Sequence, residues 1–188
     1  MRDAVCSRAS VLWAAVPFLF AALGLFPSPA PAQAPSRVEK LESRLRVAII
    51  DALKDVNAPL IKAAELMRII DDTNLVLIDV RSVPEQKVSM LPHALTTAAF
   101  AEKFRRGIPA GKRLVVYCTI GYRSGKYAMQ LAKQGLRAEN LEGGVLAWSF
   151  AGGPFLAGDS TGAGAATHHV HVYDSEWNIL HPSYKAVW

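Results

Sequence analysis

Two short apolar runs constrain this chain more than any other feature: Leu75–Val80 (LVLIDV) and Leu114–Tyr117 (LVVY). Each has the length of a strand, is rich in β-branched residues and passes at once into a polar loop. A run that is apolar without alternation has no face to give to water. It suits a strand covered on both sides, as in a parallel sheet between helices. Helical patterns surround the runs. Val38, Leu41, Leu45, Ala48, Ala52 and Val56 recur three and four apart, which predicts an amphipathic helix ending near Asn57-Ala58-Pro59. Ala63, Leu66, Met67 and Ile70 share one side of a second helix, from about Ile61 to Ile70. A third is expected over Tyr127–Gln134, opened by Ser124-Gly125 and closed by Gly135. A short strand is expected within Leu136–Leu141, then a helix opened by Gly143-Gly144 and running through Trp148. The alternation predicts an α/β fold: a central, mainly parallel sheet flanked by helices, with an N-terminal helix and a C-terminal extension.

The chain has 188 residues, which suits one domain with extensions. At 51% hydrophobic and 20% charged it is not a disordered chain. Two cysteines exclude a disulfide scaffold and a four-cysteine zinc site. The net charge of +5 comes without a dense lysine-arginine block, so it leaves no nucleic-acid footprint, and a small anionic substrate fits it as well.

The N-terminus reads as an address. Arg2 and Arg8 flank a polar start, Val11–Phe26 carries no charge, and PSPAPAQAPS follows. That is the layout of a secretory signal peptide over residues 1–32. Ala30-Pro31-Ala32 would release Gln33, whereas Ala32-Gln33-Ala34 would leave Pro35 just behind the cut, so cleavage is expected after Ala32. An uncleaved anchor is the competing reading. Against it, the run is shorter than the roughly 20 residues a spanning helix needs, and Pro17 interrupts it. The expectation is an exported protein, in the periplasm of a double-membrane cell, with no stable membrane insertion after cleavage. Cys6 leaves with the signal, and Cys118 is then the one thiol of the mature chain.

Cys118-Thr119-Ile120-Gly121-Tyr122-Arg123-Ser124 is the segment with chemistry in it. A cysteine ends a buried strand, a short loop with a glycine follows, and a helix begins. Open α/β sheets bind ligands outside the carboxyl ends of their strands. A loop curled round the sulfur would point N–H groups inward. The helix N-terminus would add partial positive charge and Arg123 a full one. All three favour an anion at this sulfur, including the extra negative sulfur of a persulfide.

These residues resemble a known family. LIDVR (Leu77–Arg81), CTIGYRS (Cys118–Ser124) and LEGGVLAW (Leu141–Trp148) are similar, in order and spacing, to three signatures of single-domain rhodaneses, which are sulfurtransferases. IKAAELMRII before the first strand resembles the opening helix of that domain, and LPHA (Leu91–Ala94) stands at its usual Ile-Pro-Gly-Ala turn. The resemblance divides the chain into a signal peptide (1–32), a linker and amphipathic helix (33–58), a rhodanese domain (59–157), and a Gly/Ala-rich linker with a His/aromatic tail (158–188). It implies a two-step transfer needing no cofactor. Cys118 would take the outer sulfur of a small anionic donor such as thiosulfate and pass it to cyanide, a thiol or a protein acceptor. Four residues separate Cys118 from Arg123, against five in similar cysteine phosphatases, and the shorter loop favours sulfur over phosphate.

The remaining roles follow from the same resemblance and from the residue types. Arg123 is expected to bind the donor, with Thr119, Ile120, Gly121, Tyr122 and Ser124 lining its pocket. Gly121 serves backbone geometry, and Ser124 is explained by capping the following helix. Asp79 and Arg81 would brace the loop, and Trp148 would fill the core. His93 replaces the usual turn glycine and reads as a solvated loop residue rather than a proton donor. Gln86, Ser89, Met90 and Lys62 also depart from the family pattern. The tail holds four of the five histidines. An aromatic extension folded onto the domain is expected in preference to a metal site of His168, His169, His171 and His181, and Val170, Val172 and Tyr173 also suggest a strand able to add to an edge of the same subunit or of a partner. A rhodanese-like binding or carrier module with little turnover is the alternative function.

Overall fold

The computed structural model describes residues 34–157 and 164–188. The signal-peptide reading and part of the Gly/Ala-rich linker fall outside them. Helix α1 (Arg37–Leu53) starts at Ser36, whose Oγ accepts the Glu39 N–H while Glu39 accepts the Ser36 N–H. There follow β1 (Leu60–Ile61), α2 (Ala63–Arg68), β2 (Leu75–Asp79), α3 (Val83–Val88), β3 (Leu95–Thr96), α4 (Thr97–Lys103), β4 (Arg113–Tyr117), α5 (Tyr122–Lys133), β5 (Ala138–Leu141) and α6 (Gly144–Phe150). Strand β6 (Phe155–Leu156) comes next, and the tail adds β7 (Ala166–Thr167), β8 (His169–His171), a 3-10 turn (Ser175–Trp177) and β9 (Lys185–Val187).

The five-stranded sheet has the order β1-β5-β4-β2-β3, and every neighbouring pair is parallel. The expected α/β architecture is therefore what the residues build. Because side chains alternate across a strand, each apolar run serves two cores. Leu77, Val115 and Tyr117 face the side covered by α1, α2, α6 and the tail. Val76, Ile78, Leu114 and Val116 face Phe100 of α4 and Ala128 and Leu131 of α5. Trp148 is fully buried in the first core, as expected, and donates from Nε1 to Pro154 O. No helix among the described residues is long and apolar enough to cross a membrane.

Several expectations need correction. Leu60–Ile61 is a strand rather than the start of a helix, because Pro59 O and Ile61 O accept from Asn140 N and Glu142 N at the edge of β5. Helix α2 consequently begins behind Lys62, which gives no side-chain cap. Helix α5 starts at Tyr122, five residues earlier than the pattern predicts, and Gly125 lies inside it. A Cβ on Gly125 would collide with Val56, so that glycine serves close packing and not helix opening. The tail strand β8 does not extend the main sheet; it pairs with β9 in a sheet of its own. Val170, Val172, Ile179 and Leu180 nevertheless enter the first core, so the extension does fold onto the domain.

Candidate active site

Cys118 follows β4 directly, at the carboxyl end of the sheet, and is 1% exposed. Its Sγ accepts the Gly121 N–H at 3.2 Å. Gly121 can turn its amide inward because it holds φ +106, a region open to glycine. It is also the N-cap of α5, so Sγ lies at the positive end of a 12-residue helix. Ser124 does not cap that helix. It is fully buried, its Oγ donates to Asn140 Oδ1 at 2.6 Å, and the same oxygen stands 3.4 Å from Sγ. Asn140 Nδ2 in turn donates to Gly121 O at 2.8 Å, so one asparagine of β5 holds both ends of the sulfur's cradle.

The loop is anchored from behind by α6. Val145 N donates to Cys118 O at 3.0 Å and Leu146 N to Thr119 O at 3.3 Å. Helix α6 can approach this closely only through Gly144, where φ is +51 and a Cβ would lie 2.6 Å from Thr119 O.

Arg123 is committed within the protein. Its Nη1 and Nη2 donate to the Glu85 carboxylate at 2.8 and 2.7 Å, and Nη2 also donates to Thr119 Oγ1 at 3.1 Å. Thr119 Oγ1 donates to Glu85 Oε1 at 3.2 Å, and Glu85 also accepts the Ser82 N–H and O–H. Burial pushes the Glu85 carboxyl up, but the hydrogen bonds from Arg123 and Ser82, with the Arg123 charge, outweigh it and hold it at about 2. The bond to Glu85 keeps Arg123 above its ordinary value. Glu85 is 2% exposed, so its depression matters for stability. It adds about 3 kcal/mol that is fully present above the ordinary value of 4.5 and disappears as the pH falls from there through about 2. Denaturant midpoints measured between pH 6 and 2 should fall steeply below pH 4.5, and Glu85→Gln should remove part of that slope.

Asp79 and Arg81 form a fully buried ion pair at 2.8 Å. Arg81 Nη2 also donates to Ser89 O, and the Tyr117 hydroxyl donates to Asp79 Oδ2 at 2.7 Å. Burial drives the Tyr117 phenol well above its ordinary value, so it remains a donor. The pair braces β2, the end of α3 and the residue before the cysteine, and touches the loop only through Tyr117. Gln86 Nε2 donates to Asp79 O and Arg81 O, which ties α3 to the end of β2. His93 is exposed, at φ +60 where a glycine would be unstrained, with Nε2 3.0 Å from Asp71 Oδ1. It is a solvated turn residue, as expected.

A cavity of about 380 Å³ opens over Cys118. Thr119, Ile120, Tyr122 and Arg123 form one side. Asp51, Ala52, Lys54 and Asp55 of α1 form another, and Tyr173 and Trp177 of the tail form the third. The tail histidines do not assemble. His168 packs on Tyr184, His181 packs on Phe150, and His171 Nδ1 accepts the Tyr173 N–H. Among the described residues no group of three His, Cys, Asp or Glu could hold a metal.

The profile of the Rhodanese-like domain family matches residues 62–151. A sulfurtransferase from Allochromatium vinosum is 35% identical over 92 residues, which are 48% of this chain and 86% of that protein. The chain belongs to the rhodanese-like domain family. The family also reaches larger proteins: a tRNA uridine(34) hydroxylase from Salmonella arizonae is 30% identical over 99 residues, 47% of this chain and 28% of the hydroxylase. Among solved structures, a rhodanese-related protein from Thermoplasma volcanium has a TM-score of 0.45 and 24% identity, covering 53% of this chain and 98% of that one. The rhodanese-like match includes Cys118, Glu85, Arg123 and Asn140. Helix α1, Tyr173 and Trp177 lie outside it. Sequence reasoning missed Glu85, Asn140, Asp55 and both tail aromatics. A Ser-x-x-Glu pattern at Ser82–Glu85 was the available signal for the first, and it points to a helix start rather than to an arginine partner.

Proposed function

We propose that this rhodanese-like chain is a sulfurtransferase that carries sulfane sulfur as a persulfide on Cys118. The observation behind this reading is the Sγ at the floor of a cavity, receiving the Gly121 N–H at the head of α5. In the first step the Cys118 thiolate attacks the outer sulfur of a donor such as thiosulfate. The donor's S–S bond breaks and sulfite leaves with the electron pair. In the second step cyanide or a thiolate attacks the outer sulfur, and the pair returns to Sγ. Of the five N–H donors of a guanidinium, Arg123 spends three on Glu85 and Thr119. The other two are its means of holding the donor's oxygens. The site calls for no cofactor. In the same reading residues 1–32 export the chain to the periplasm.

A carrier serving a specific protein acceptor is the second reading, favoured by Val47 and Ile50, which are 69% and 73% exposed on α1. Intact-mass measurement after incubation with thiosulfate tests the first. The expected result is a gain of one sulfur atom, lost on adding cyanide and absent in Cys118→Ser. No gain with thiosulfate or inorganic polysulfide overturns the small-donor enzyme.

A further inference from the structure

The acceptor is what the cavity speaks to. Its volume of about 380 Å³ lies within the range of roughly 300–1,000 Å³ typical of organic ligands. Cyanide or thiosulfate would fill little of it. Three aromatic residues line it. Tyr173, two residues beyond β8, is held at φ +79, and its ring centroid lies 5.3 Å from the Arg123 guanidinium carbon. Trp177 ends the 3-10 turn whose N-terminus Asp174 caps through the Glu176 N–H at 2.8 Å. Tyr122 is the third aromatic residue of the lining and is 47% exposed.

Both cations that line the wall already have a carboxylate partner. Arg123 is bound to Glu85, and Lys54 Nζ lies 2.9 Å from Asp51 Oδ1. At the rim, Lys126 Nζ donates to Asp55 O at 2.8 Å and lies over the Tyr122 ring. A carboxylated or sulfonated acceptor would lose hydration here, would find only the two Arg123 donors that Glu85 and Thr119 leave and a lysine at the rim, and would be repelled by Asp55. An apolar body would exchange water for aromatic surface. Trp177 and Asp51 also line a shallower groove along α1, with Val47 and Ala48, so a longer body has room to continue.

We propose that Trp177 and Tyr173 are specificity-determining residues that select an organic thiol with an apolar body as the sulfur acceptor. The inference rests on the persulfide reading above. The acceptor thiolate attacks the outer sulfur of Cys118–S–S⁻, the Sγ–S bond breaks, and its electron pair returns to Sγ. The product is the acceptor's persulfide, and no oxidant or reductant is consumed.

The test begins with protein loaded from thiosulfate or inorganic polysulfide, freed of donor and weighed intact. Discharge is then timed with 2-phenylethanethiol, 3-mercaptopropionate or cyanide, at matched thiolate concentrations for the two thiols. The expected result is discharge about tenfold faster by 2-phenylethanethiol than by 3-mercaptopropionate. Trp177→Ala and Tyr173→Leu should each slow the aromatic thiol by about tenfold and cyanide by no more than about twofold, and Trp177→Phe should restore most of the loss. Retained cyanide discharge also shows that the variants are folded. A short peptide with one cysteine between leucines separates the sources of the thiol. Discharge faster than by the free thiol, and slowed by Val47→Ser, assigns it to a polypeptide; slower discharge assigns it to a small molecule. Equal rates for the two thiols in the unaltered protein, or equal loss toward thiol and cyanide in the variants, overturns the assignment. Failure to load with either donor appears before any acceptor is added and removes the persulfide reading together with this one.

Discussion

Asp79→Ala should destabilise the protein by about 3–5 kcal/mol, the cost of leaving a buried charge without its partner. Arg81 is fully buried, and Nε and Nη2 both donate to the Asp79 carboxylate. With Asp79 gone the guanidinium keeps only Ser89 O and the face of Tyr117, 5.6 Å from the ring centroid. Its Nη1 has no hydrogen-bond partner among the described residues even with Asp79 in place. The Tyr117 hydroxyl loses its acceptor as well. For a domain of this size the melting temperature should fall by about 6–20 °C. The double variant Asp79→Leu/Arg81→Met removes the charge together with its partner and should be more stable than Asp79→Ala. If the double variant is instead the less stable of the two, the pair is worth more than its desolvation and the argument fails. Chemical denaturation of the three proteins decides it.

Gly144→Ala should disable the cysteine loop. A Cβ there falls within van der Waals contact of Cys118 O and 2.6 Å from Thr119 O, both backbone atoms with no side-chain freedom to yield. The backbone at φ +51 adds strain of its own. Relief requires α6 to withdraw, which breaks the bonds from Val145 N and Leu146 N that hold the loop. The expected cost is about 2 kcal/mol or more. Persulfide formation should slow by about 100-fold, because displacement near 1 Å at a reacting atom has effects of that order. Gly135→Ala is the control: it shares a positive φ, +79, but a Cβ there meets nothing within 4 Å. It should cost about 1 kcal/mol and leave sulfur loading intact. Equal loss of loading in the two variants would show that backbone strain, and not the collision with the loop, is responsible.

Much of the site was legible because it is contiguous. Cys118, the turn at Gly121 and the start of α5 lie within five residues, and their chemistry can be read from order alone. The partners of that loop could not be read. Glu85 stands 38 residues before Arg123 and looks like an ordinary helix-opening glutamate. It reaches Arg123 because the β2–β4 pairing sets the loops after both strands side by side. Asn140 is a polar residue in a short strand, and only the β4–β5 pairing brings it over Gly121 and Ser124. Short α3 and α4 were overlooked because six or seven residues make too few turns for a periodic pattern.

Local chemistry in the sequence was enough to determine the doubly covered strands, the amphipathic first helix and the place of the nucleophile. Strand periodicity, a cysteine at a strand end and a glycine at the turn act over a few residues, so they are written in order along the chain. Only the tertiary structure decided that Arg123 is bound to Glu85 and that α1 and the tail wall the cavity. Those contacts join segments far apart in sequence, and burial of Leu45, Val170, Val172, Ile179 and Leu180 in one core brings them together.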